Sequence, residues 1–312
     1  MPGILDWSRR LHMRHLQWLL LLEQTGSLSE AARTAHTTQP GLSKWLRELE
    51  EDIGTALFDR HARGISPTPA GRLVLLYARR VLNAMQRAEE DVEAVRHGGL
   101  RRVMLATSPA ATFDLVPDAI ARYMRLQPDI QIGLREGTMD ELLSQLERVQ
   151  VDVAVGRLSG SNPPPGLQYE LLYVEPIVLV ARPGHPLTRK RSLTWQQAFD
   201  YPWIVWPVGT PIRSNLETGL AEIGLTPPPY AVESASMLAN ISLLRDSDLL
   251  LAASAHVADH FVRLKQMARL PLSMGSAGAL GMYWREATGS DSAIAGLIDS
   301  LRQSARRIRE AG

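Results

Sequence analysis

The chain has 312 residues, a formal net charge of +1 at pH 7 and an apolar fraction of 45%, which is enough for two or three folded domains. It contains no cysteine, so disulfide frameworks, iron–sulfur clusters and cysteine-based zinc sites are excluded. Because the sequence shows neither a signal-peptide core nor an apolar run of membrane-spanning length, we expect a cytoplasmic protein with no membrane partner.

The N-terminal segment predicts three helices separated by tight turns. Apolar residues share one face of a helix over 14–25, which a glycine follows. Ser27 and Glu30 form a capping-box pattern, in which each side chain would bond the other residue's amide, at the start of a short alanine-rich helix. Thr38 then caps a third helix, which ends before Gly54.

The third helix has one apolar face and one polar face, because its leucines recur at spacings of four and three residues. A short helix, a tight turn and a second helix of this kind are typical of a helix-turn-helix, although an ordinary three-helix unit has the same periodicity. Lys44 and Arg47 are the side chains best suited to base edges, and the others suit phosphates or the groove wall. The residues expected to contact DNA here are Arg33, Thr38, Gln39, Pro40, Ser43, Lys44 and Arg47.

A short hairpin with arginines near its tip is predicted next. Leu57 and Phe58 are its apolar anchors, and Arg60 and Arg63 stand near the turn. Such a tip could lie along phosphates or enter a minor groove, whereas a solvated loop is the alternative interpretation.

A long helix is predicted over 69–97. Its apolar residues repeat every 3.5 residues for three heptads, which is the spacing of a coiled-coil seam. We therefore expect this helix to pair with a second copy of the chain; packing on its own domain is the alternative. The predicted seam comprises Val74, Ala78, Val81, Met85, Ala88, Val92 and Val95.

Strands and helices alternate after a glycine-rich hinge, which predicts parallel βα units. Strands are predicted over 102–106, 130–135, 151–155, 177–181, 203–206, 230–232, 249–252 and 279–284. Helices are predicted over 109–126, 139–149 and 293–308, with others after most of the remaining strands.

Ligands of such sheets bind at the carboxyl ends of the strands. Hydroxyls and amides at helix N-termini there suit a small anion such as a carboxylate, although plain helix capping needs the same residues. We expect a small-molecule effector and no cofactor. The residues expected to bind it are Thr107, Ser108, Pro109, Thr138, Gly209, Thr210 and Ser234.

Features of enzymes are weak in this sequence. His256 and His260 have a metal-compatible helical spacing, but no third ligand is evident, so a structural role is expected. No nucleotide-binding or nucleophile-elbow motif is present. A solute-binding receptor and an α/β enzyme with a dimerisation helix remain the competing interpretations.

Over 15–76 the chain resembles the DNA-binding domain of LysR-type transcriptional regulators. In order and with the family's spacing it carries GSLSEAA at 26–32, TQPGLS at 38–43, LE at 49–50, GTALFDR at 54–60 and TPAG at 68–71. The resemblance implies a winged helix-turn-helix over 1–68, a coiled-coil linker helix over 69–97, a hinge over 98–101 and a two-lobed α/β effector domain over 102–312, folded like a type 2 periplasmic-binding protein. Lobe one would comprise 102–173 and 271–312, and lobe two 174–270.

The same resemblance implies what the protein does and what it binds. It implies transcription control through double-stranded promoter DNA, in response to a small molecule held between the lobes, by a homodimer that assembles into a homotetramer. RNA polymerase is a further expected partner, and the nucleoid is the expected location. Lys44 and Trp45 occupy recognition-helix positions that vary in the family, so both are expected to influence the choice of DNA sequence.

Overall fold

The computed structural model describes residues 7–61, 64–96, 98, 100–157, 163–227, 230–288 and 291–311. The chain forms two compact units, one within Met1–Gly99 together with Arg148–Gln150, the other within Leu100–Glu147 and Val151–Gly312. Arg63 at the predicted wing tip lies outside the described residues, as do His97, the last residue of the predicted linker helix, and Gly99 of the predicted hinge.

The first unit contains three short helices, a two-stranded antiparallel hairpin and a long helix. These elements are α1 Met13–Thr25, α2 Leu28–Thr34, α3 Gln39–Ile53, β1 Phe58–His61, β2 Gly64–Pro67 and α4 Pro69–Arg96. Hydroxyl caps fix the helix starts, since Thr38 Oγ1 accepts the Gly41 amide at 3.2 Å and Thr68 Oγ1 accepts the Gly71 amide at 3.0 Å.

Only half of the predicted capping box on α2 forms. Ser27 Oγ accepts the Glu30 amide at 3.4 Å, as expected. The Glu30 carboxylate instead accepts from Arg33 at 3.2 Å, and the Ser27 amide donates to Thr25 Oγ1 at 3.3 Å. An arginine one turn along the helix therefore outcompetes the backbone amide for this carboxylate.

Close backbone contact joins the wing to the long helix. A Cβ atom on Gly71 would stand 1.9 Å from the carbonyl oxygen of Leu57, so only glycine allows α4 to begin here. Leu57 is fully buried among the leucines of α1 and α3, and Leu75 of α4 joins the same core. The first turns of α4 therefore belong to the core of this domain.

The second unit is an eight-stranded mixed sheet flanked by helices, with strand order β4-β3-β5-β10-β6-β9-β7-β8. Its strands are β3 Arg101–Thr107, β4 Ile130–Glu136, β5 Val153–Arg157, β6 Leu167–Ala181, β7 Trp203–Val205, β8 Tyr230–Glu233, β9 Leu250–Ser254 and β10 Ala268–Arg285. Its helices are α5 Leu115–Leu126, α6 Met139–Glu147, α7 Trp195–Phe199, α8 Pro211–Glu222, α9 Met237–Arg245, α10 Ala255–Arg263 and α11 Ser292–Ala311.

The predicted parallel βα units are present, but two long antiparallel strands make the sheet mixed. The strands β3, β4 and β5 are parallel to one another, and so are β7, β8 and β9. Between these sets, β10 runs antiparallel to both β5 and β6, and β6 runs antiparallel to β9. The carboxyl ends of the two parallel sets consequently face each other across a cleft, and β6 and β10 pass beneath it.

The helix predicted over 109–126 begins later than expected. A single 3₁₀ turn, Pro109–Ala111, follows β3, and α5 starts at Leu115. Pro117 fixes this start, because proline is tolerated in the first helical turn but not further inside. Among the described residues, no helix has the length and apolar character needed to cross a membrane.

Candidate functional site

The third helix presents a polar face on the first unit. Leu42, Leu46 and Leu49 are buried, whereas Lys44 and Arg47 are exposed on the other side. The capping residues at its start, Thr38, Gln39 and Pro40, are exposed as well, and Ser43 is half-buried. The helix therefore offers its first three turns to a partner while its leucines hold it to the domain.

The basic side chains on this face are held only by weak surface pairs. Lys44 Nζ lies 3.7 Å from Glu48, and Arg47 Nε lies 3.7 Å from Glu51. Exposed pairs one helical turn apart contribute about 0.3–0.5 kcal/mol. Both cations can therefore exchange these carboxylates for a phosphate or a base at little cost.

The wing is tied to the same helix. Arg60 Nη2 donates to Ser43 Oγ at 3.2 Å, which brings a wing arginine onto the polar face. Glu50 Oε1 accepts the amides of Leu57 and Phe58 at 2.7 and 3.0 Å. Helix and hairpin thus form one surface whose geometry is set by hydrogen bonds.

Trp45 is half-buried on α3, and its expected influence on the choice of DNA sequence stays a prediction. Its ring packs against the rings of His15 and Trp18, with centroid distances of 5.1 and 5.2 Å. Burial against these rings is favoured over exposure of a large aromatic surface. Lys44 beside it remains exposed.

The predicted dimerisation seam begins later than the heptad pattern suggested. Ala78 is only 2% exposed and Val74 is half-buried, since both pack on the core of their own domain. Beyond them the helix leaves apolar side chains in solvent: Val81, Met85, Ala88, Val92 and Val95. Leu73 and Tyr77 are also exposed and extend this stripe toward the helix start.

A cavity of about 420 Å³ occupies the cleft of the second unit, a volume suited to a small organic ligand. Five of the predicted effector residues line it: Ser108, Pro109, Thr138, Gly209 and Thr210. The other two do not belong to its wall. Thr107 is fully buried and donates its hydroxyl to the Ser108 carbonyl at 3.1 Å, and Ser234 Oγ accepts the Ser236 amide at 3.2 Å.

Thr138 and Thr210, at two of the predicted helix N-termini, use their hydroxyls in different ways. Glu141 Oε2 accepts the Thr138 amide at 2.9 Å and its hydroxyl at 3.0 Å, and these bonds lower the pKa of Glu141. The Thr210 hydroxyl donates to the Pro207 carbonyl at 2.7 Å. Thr138 therefore serves as a side-chain cap of α6, whereas the Thr210 hydroxyl points to a preceding carbonyl and makes no side-chain cap on α8.

The floor of the cavity carries polar groups that are buried and unpaired. Ser108, Arg157 and Ser254 line it and are only 8%, 3% and 3% exposed. Within the described part of the chain, no hydrogen-bond partner is found for the two serine hydroxyls or for Nε and Nη1 of Arg157. Such groups cost about 1–3 kcal/mol each unless a ligand or water pairs with them.

Arg157 reaches its floor position by crossing a neighbouring strand. It ends β5, and its Nη2 donates at 2.7 Å to Oε1 of Glu175 on β6, although β10 lies between the two strands. Gly278 of β10 pairs in register with Glu175 and leaves the space, since a Cβ there would stand 1.4 Å from Arg157 Nη1. Oε2 of Glu175 accepts the His256 amide at 3.1 Å in the first turn of α10.

Sequence reasoning missed Arg157 and Ser254, although both obey the rule that found Ser108. Each stands at the carboxyl end of a strand, β5 and β9 respectively. Arg157 and Glu175 are 18 residues apart in sequence, and the strand that lies between theirs, β10, comes from the far end of the chain. No local pattern reveals such an arrangement.

The two histidines at helical spacing have packing roles. The His256 ring lies 5.2 Å from the Tyr173 ring, and the His260 ring contacts Phe113 and Phe261. Searching the described residues reveals no cluster of three or more metal-ligating side chains.

Two family descriptions match the chain. "Bacterial regulatory helix-turn-helix protein, lysR family" matches residues 13–72, and "LysR substrate binding domain" matches residues 96–306. The first covers α1 to the start of α4, and the second covers the sheet that holds the cavity. The two matches thus correspond to the polar face of α3 and to the cavity.

Similar proteins extend along nearly the whole chain. The HTH-type transcriptional regulator GbpR of Azospirillum brasilense is 31% identical over 96% of this chain and 90% of its own length. The HTH-type transcriptional regulator GalR of Pseudomonas putida is 34% identical over 93% of this chain and 73% of its own length. A crystal structure of full-length CbnR with its target DNA shares the fold, with a TM-score of 0.62 at 19% identity, covering 94% of this chain and all of that one.

Proposed function

Because the chain belongs to the LysR family of bacterial transcriptional regulators, we propose that the polar face of α3 reads promoter DNA and that the cavity binds a small carboxylate. The family is one of DNA-binding regulators with an effector-binding domain, and its members are not enzymes. The fold and the family are therefore the premises, and the residues and ligand class are what we propose.

Charge along α3 supports contact through its N-terminal half. Lys44 and Arg47 lie in the first turns, whereas Glu48, Glu51 and Asp52 follow toward the C-terminus. DNA repels the acidic end and attracts the basic start, as in other recognition helices that enter the major groove by their N-terminal residues.

We assign base-edge contacts to Lys44 and Arg47 and backbone contacts to the remaining residues. Ser43 orients the wing arginine, Arg60, through their hydrogen bond. The proposed backbone contacts are Arg33, Thr38, Gln39, Pro40, Ser43 and Arg60; Arg63 is proposed from the sequence alone.

Fluorescence anisotropy with the DNA upstream of the protein's own gene tests this interface. We expect Lys44→Ala to lower specific affinity by about 1–3 kcal/mol, the effect of losing a base-edge contact. Lys190→Ala removes an equally exposed lysine from the second unit and serves as the matched control. Equal binding by both variants would remove Lys44 from the interface.

The unpaired groups on the cavity floor carry the proposal for the ligand. Nε and Nη1 of Arg157 have no partner among the residues that the structure describes, and the hydroxyls of Ser108 and Ser254 stand in the same cavity wall. A carboxylate would accept from all three residues, and charge-assisted bonds to a guanidinium are about twice as strong as neutral ones. We propose this floor as the carboxylate site, with no cofactor.

Calorimetry with a panel of small carboxylates and neutral analogues tests the ligand class. We expect the carboxylates that bind the wild type to lose at least about tenfold in affinity in Arg157→Met, the effect of losing a charge-assisted bond. Arg245→Ala removes an exposed arginine far from the cavity wall and should leave affinity unchanged. Binding of neutral apolar compounds alone would contradict the proposal.

We propose that the protein works as an oligomer in the cytoplasm, at the nucleoid. Regulators of this family oligomerise on promoter DNA. The exposed stripe of α4 supports a homodimer through this helix, and two such dimers would form the proposed homotetramer. RNA polymerase is the proposed further partner.

A further inference from the structure

Opposite charges lie at the two ends of the effector cavity. Arg157 stands on the floor, where Glu175 already neutralises part of its charge. Three exposed carboxylates line the mouth on the side of β4 and α6: Glu136, Asp140 and Glu141. Arg157 is the single cationic side chain among the described residues of the wall, so the cavity attracts one anionic group and repels a second.

The two ends are separated by the width of three strands. Glu136 on β4 and Val155 on β5 are both register partners of Thr107, on the strand between them. The backbones of Glu136 and Val155 are therefore two strand spacings, about 10 Å, apart. Arg157 lies two residues beyond Val155. One small ligand can meet both ends only if its polar groups stand at opposite ends of its skeleton.

An apolar wall joins the two ends. Trp206, Ile212, Met237 and Val257 line the cavity from the side of β7, α8, α9 and α10. The Trp206 ring is fixed, because its Nε1 donates to the Ala252 carbonyl at 2.8 Å. The middle of the ligand is therefore expected to be an apolar or aromatic skeleton.

We infer that the effector is a monocarboxylic acid whose far end carries hydrogen-bond donors, hydroxyl or ammonium, and that dicarboxylates are rejected. This inference rests on the proposed carboxylate site at Arg157. Glu141 is occupied as a helix cap, so the donors meet Asp140 and Glu136, whose Oε2 also accepts from Thr112 at 3.2 Å. A second carboxylate here would lie among like charges without a cation to pair with.

Two matched series of acids test the inference by calorimetry on the full-length protein. The aliphatic series is hexanoate, 6-hydroxyhexanoate, 6-aminohexanoate and adipate; the aromatic series is benzoate, 4-hydroxybenzoate, 4-aminomethylbenzoate and terephthalate. In the series that fits the cavity, we expect a donor-ended acid to bind at least about tenfold tighter than its dicarboxylate. The hydroxyl and ammonium members distinguish the two kinds of donor. With 2-aminohexanoate, which carries both groups at one end, we expect no gain over hexanoate.

The isosteric variant Glu136→Gln/Asp140→Asn removes two charges from the mouth and leaves the floor intact. It should reduce the difference in affinity between the donor-ended acid and the dicarboxylate several-fold, with the circular dichroism spectrum unchanged. Two results would overturn this inference alone. One is a dicarboxylate that binds as tightly as its donor-ended partner, and the other is a variant in which the difference in affinity is unchanged. Absence of binding by every acid in both series would overturn the carboxylate site as well.

Discussion

Replacing Gly278 by alanine should break the buried ion pair beneath the effector cavity. The new Cβ would stand 1.4 Å from Nη1 and 2.6 Å from Cζ of Arg157, so the guanidinium must leave its position. Its 2.7 Å bond to Glu175 is then lost, and Glu175, which is 1% exposed, stays buried with the His256 amide as its one remaining partner among the described residues. An uncompensated buried charge costs about 3–5 kcal/mol, so we expect the unfolding free energy to fall by about 3 kcal/mol.

A double-mutant cycle separates this cause from strain in the strand. Alanine is itself slightly favoured over glycine in a strand, by about 0.5–1 kcal/mol. In an Arg157→Ala background, where the clash is absent, the Gly278→Ala change should therefore be nearly neutral. Urea unfolding, followed by the fluorescence of the tryptophans of the second unit, measures the loss of unfolding free energy in both backgrounds. Binding to promoter DNA reports on whether the first unit is folded. Equal costs in the two backgrounds, or a cost below about 1 kcal/mol in the wild type, would refute the reasoning.

Three further changes test other parts of the molecule. Arg47→Ala should lower operator affinity by about 1–3 kcal/mol if it reads a base edge, measured by anisotropy titration; unchanged affinity and salt slope would exclude it. Val92→Asp should shift sedimentation from the proposed tetramer to smaller species, whereas Glu90→Ala on the opposite side of α4 should not, and equal behaviour would argue against this seam. Burial lowers the pKa of His185, whose Nδ1 accepts the Leu187 amide at 3.2 Å, so the contribution of His185 to stability is complete above pH 6.5 and is lost as the pH falls below it. A His185→Gln variant should show a shallower decline of melting temperature between about pH 7.5 and about 5.5, and an identical slope would contradict the assignment.

Local rules predicted the helical half of the protein well. Thr38 and Thr68 cap helices as their sequence positions indicate, and the leucine spacing of α3 correctly separates its buried side from its polar side. Such features depend on neighbours within one or two helical turns, which is the distance over which sequence patterns are informative. The failure at Ala78 has the same origin, because the heptad repeat cannot say whether the domain or a second copy covers a given turn.

The cavity was harder to predict, since its chemistry comes from residues far apart in sequence. The strand-end rule found Ser108, but Thr107 beside it turned out to be a buried residue bonded to its own neighbour. The long strands were recognised only in part, because Glu175 and Pro176 interrupt the apolar pattern of β6 at the point where it crosses the cleft. Glu175 is itself part of the cavity floor arrangement, so the strand pattern is weakest at the candidate site.

Glu175 has a consequence for how the protein could acquire new specificities. The two carboxylate oxygens of Glu175 connect Arg157 on the cavity floor with the first turn of α10. One connected set of hydrogen bonds therefore joins the floor to the helix that would respond to a bound ligand. The side chains at the mouth belong to β4 and α6 and are absent from that set. Under the proposed function, substitutions at the mouth would change which acid the cavity prefers and leave the bonds between Arg157, Glu175 and α10 intact.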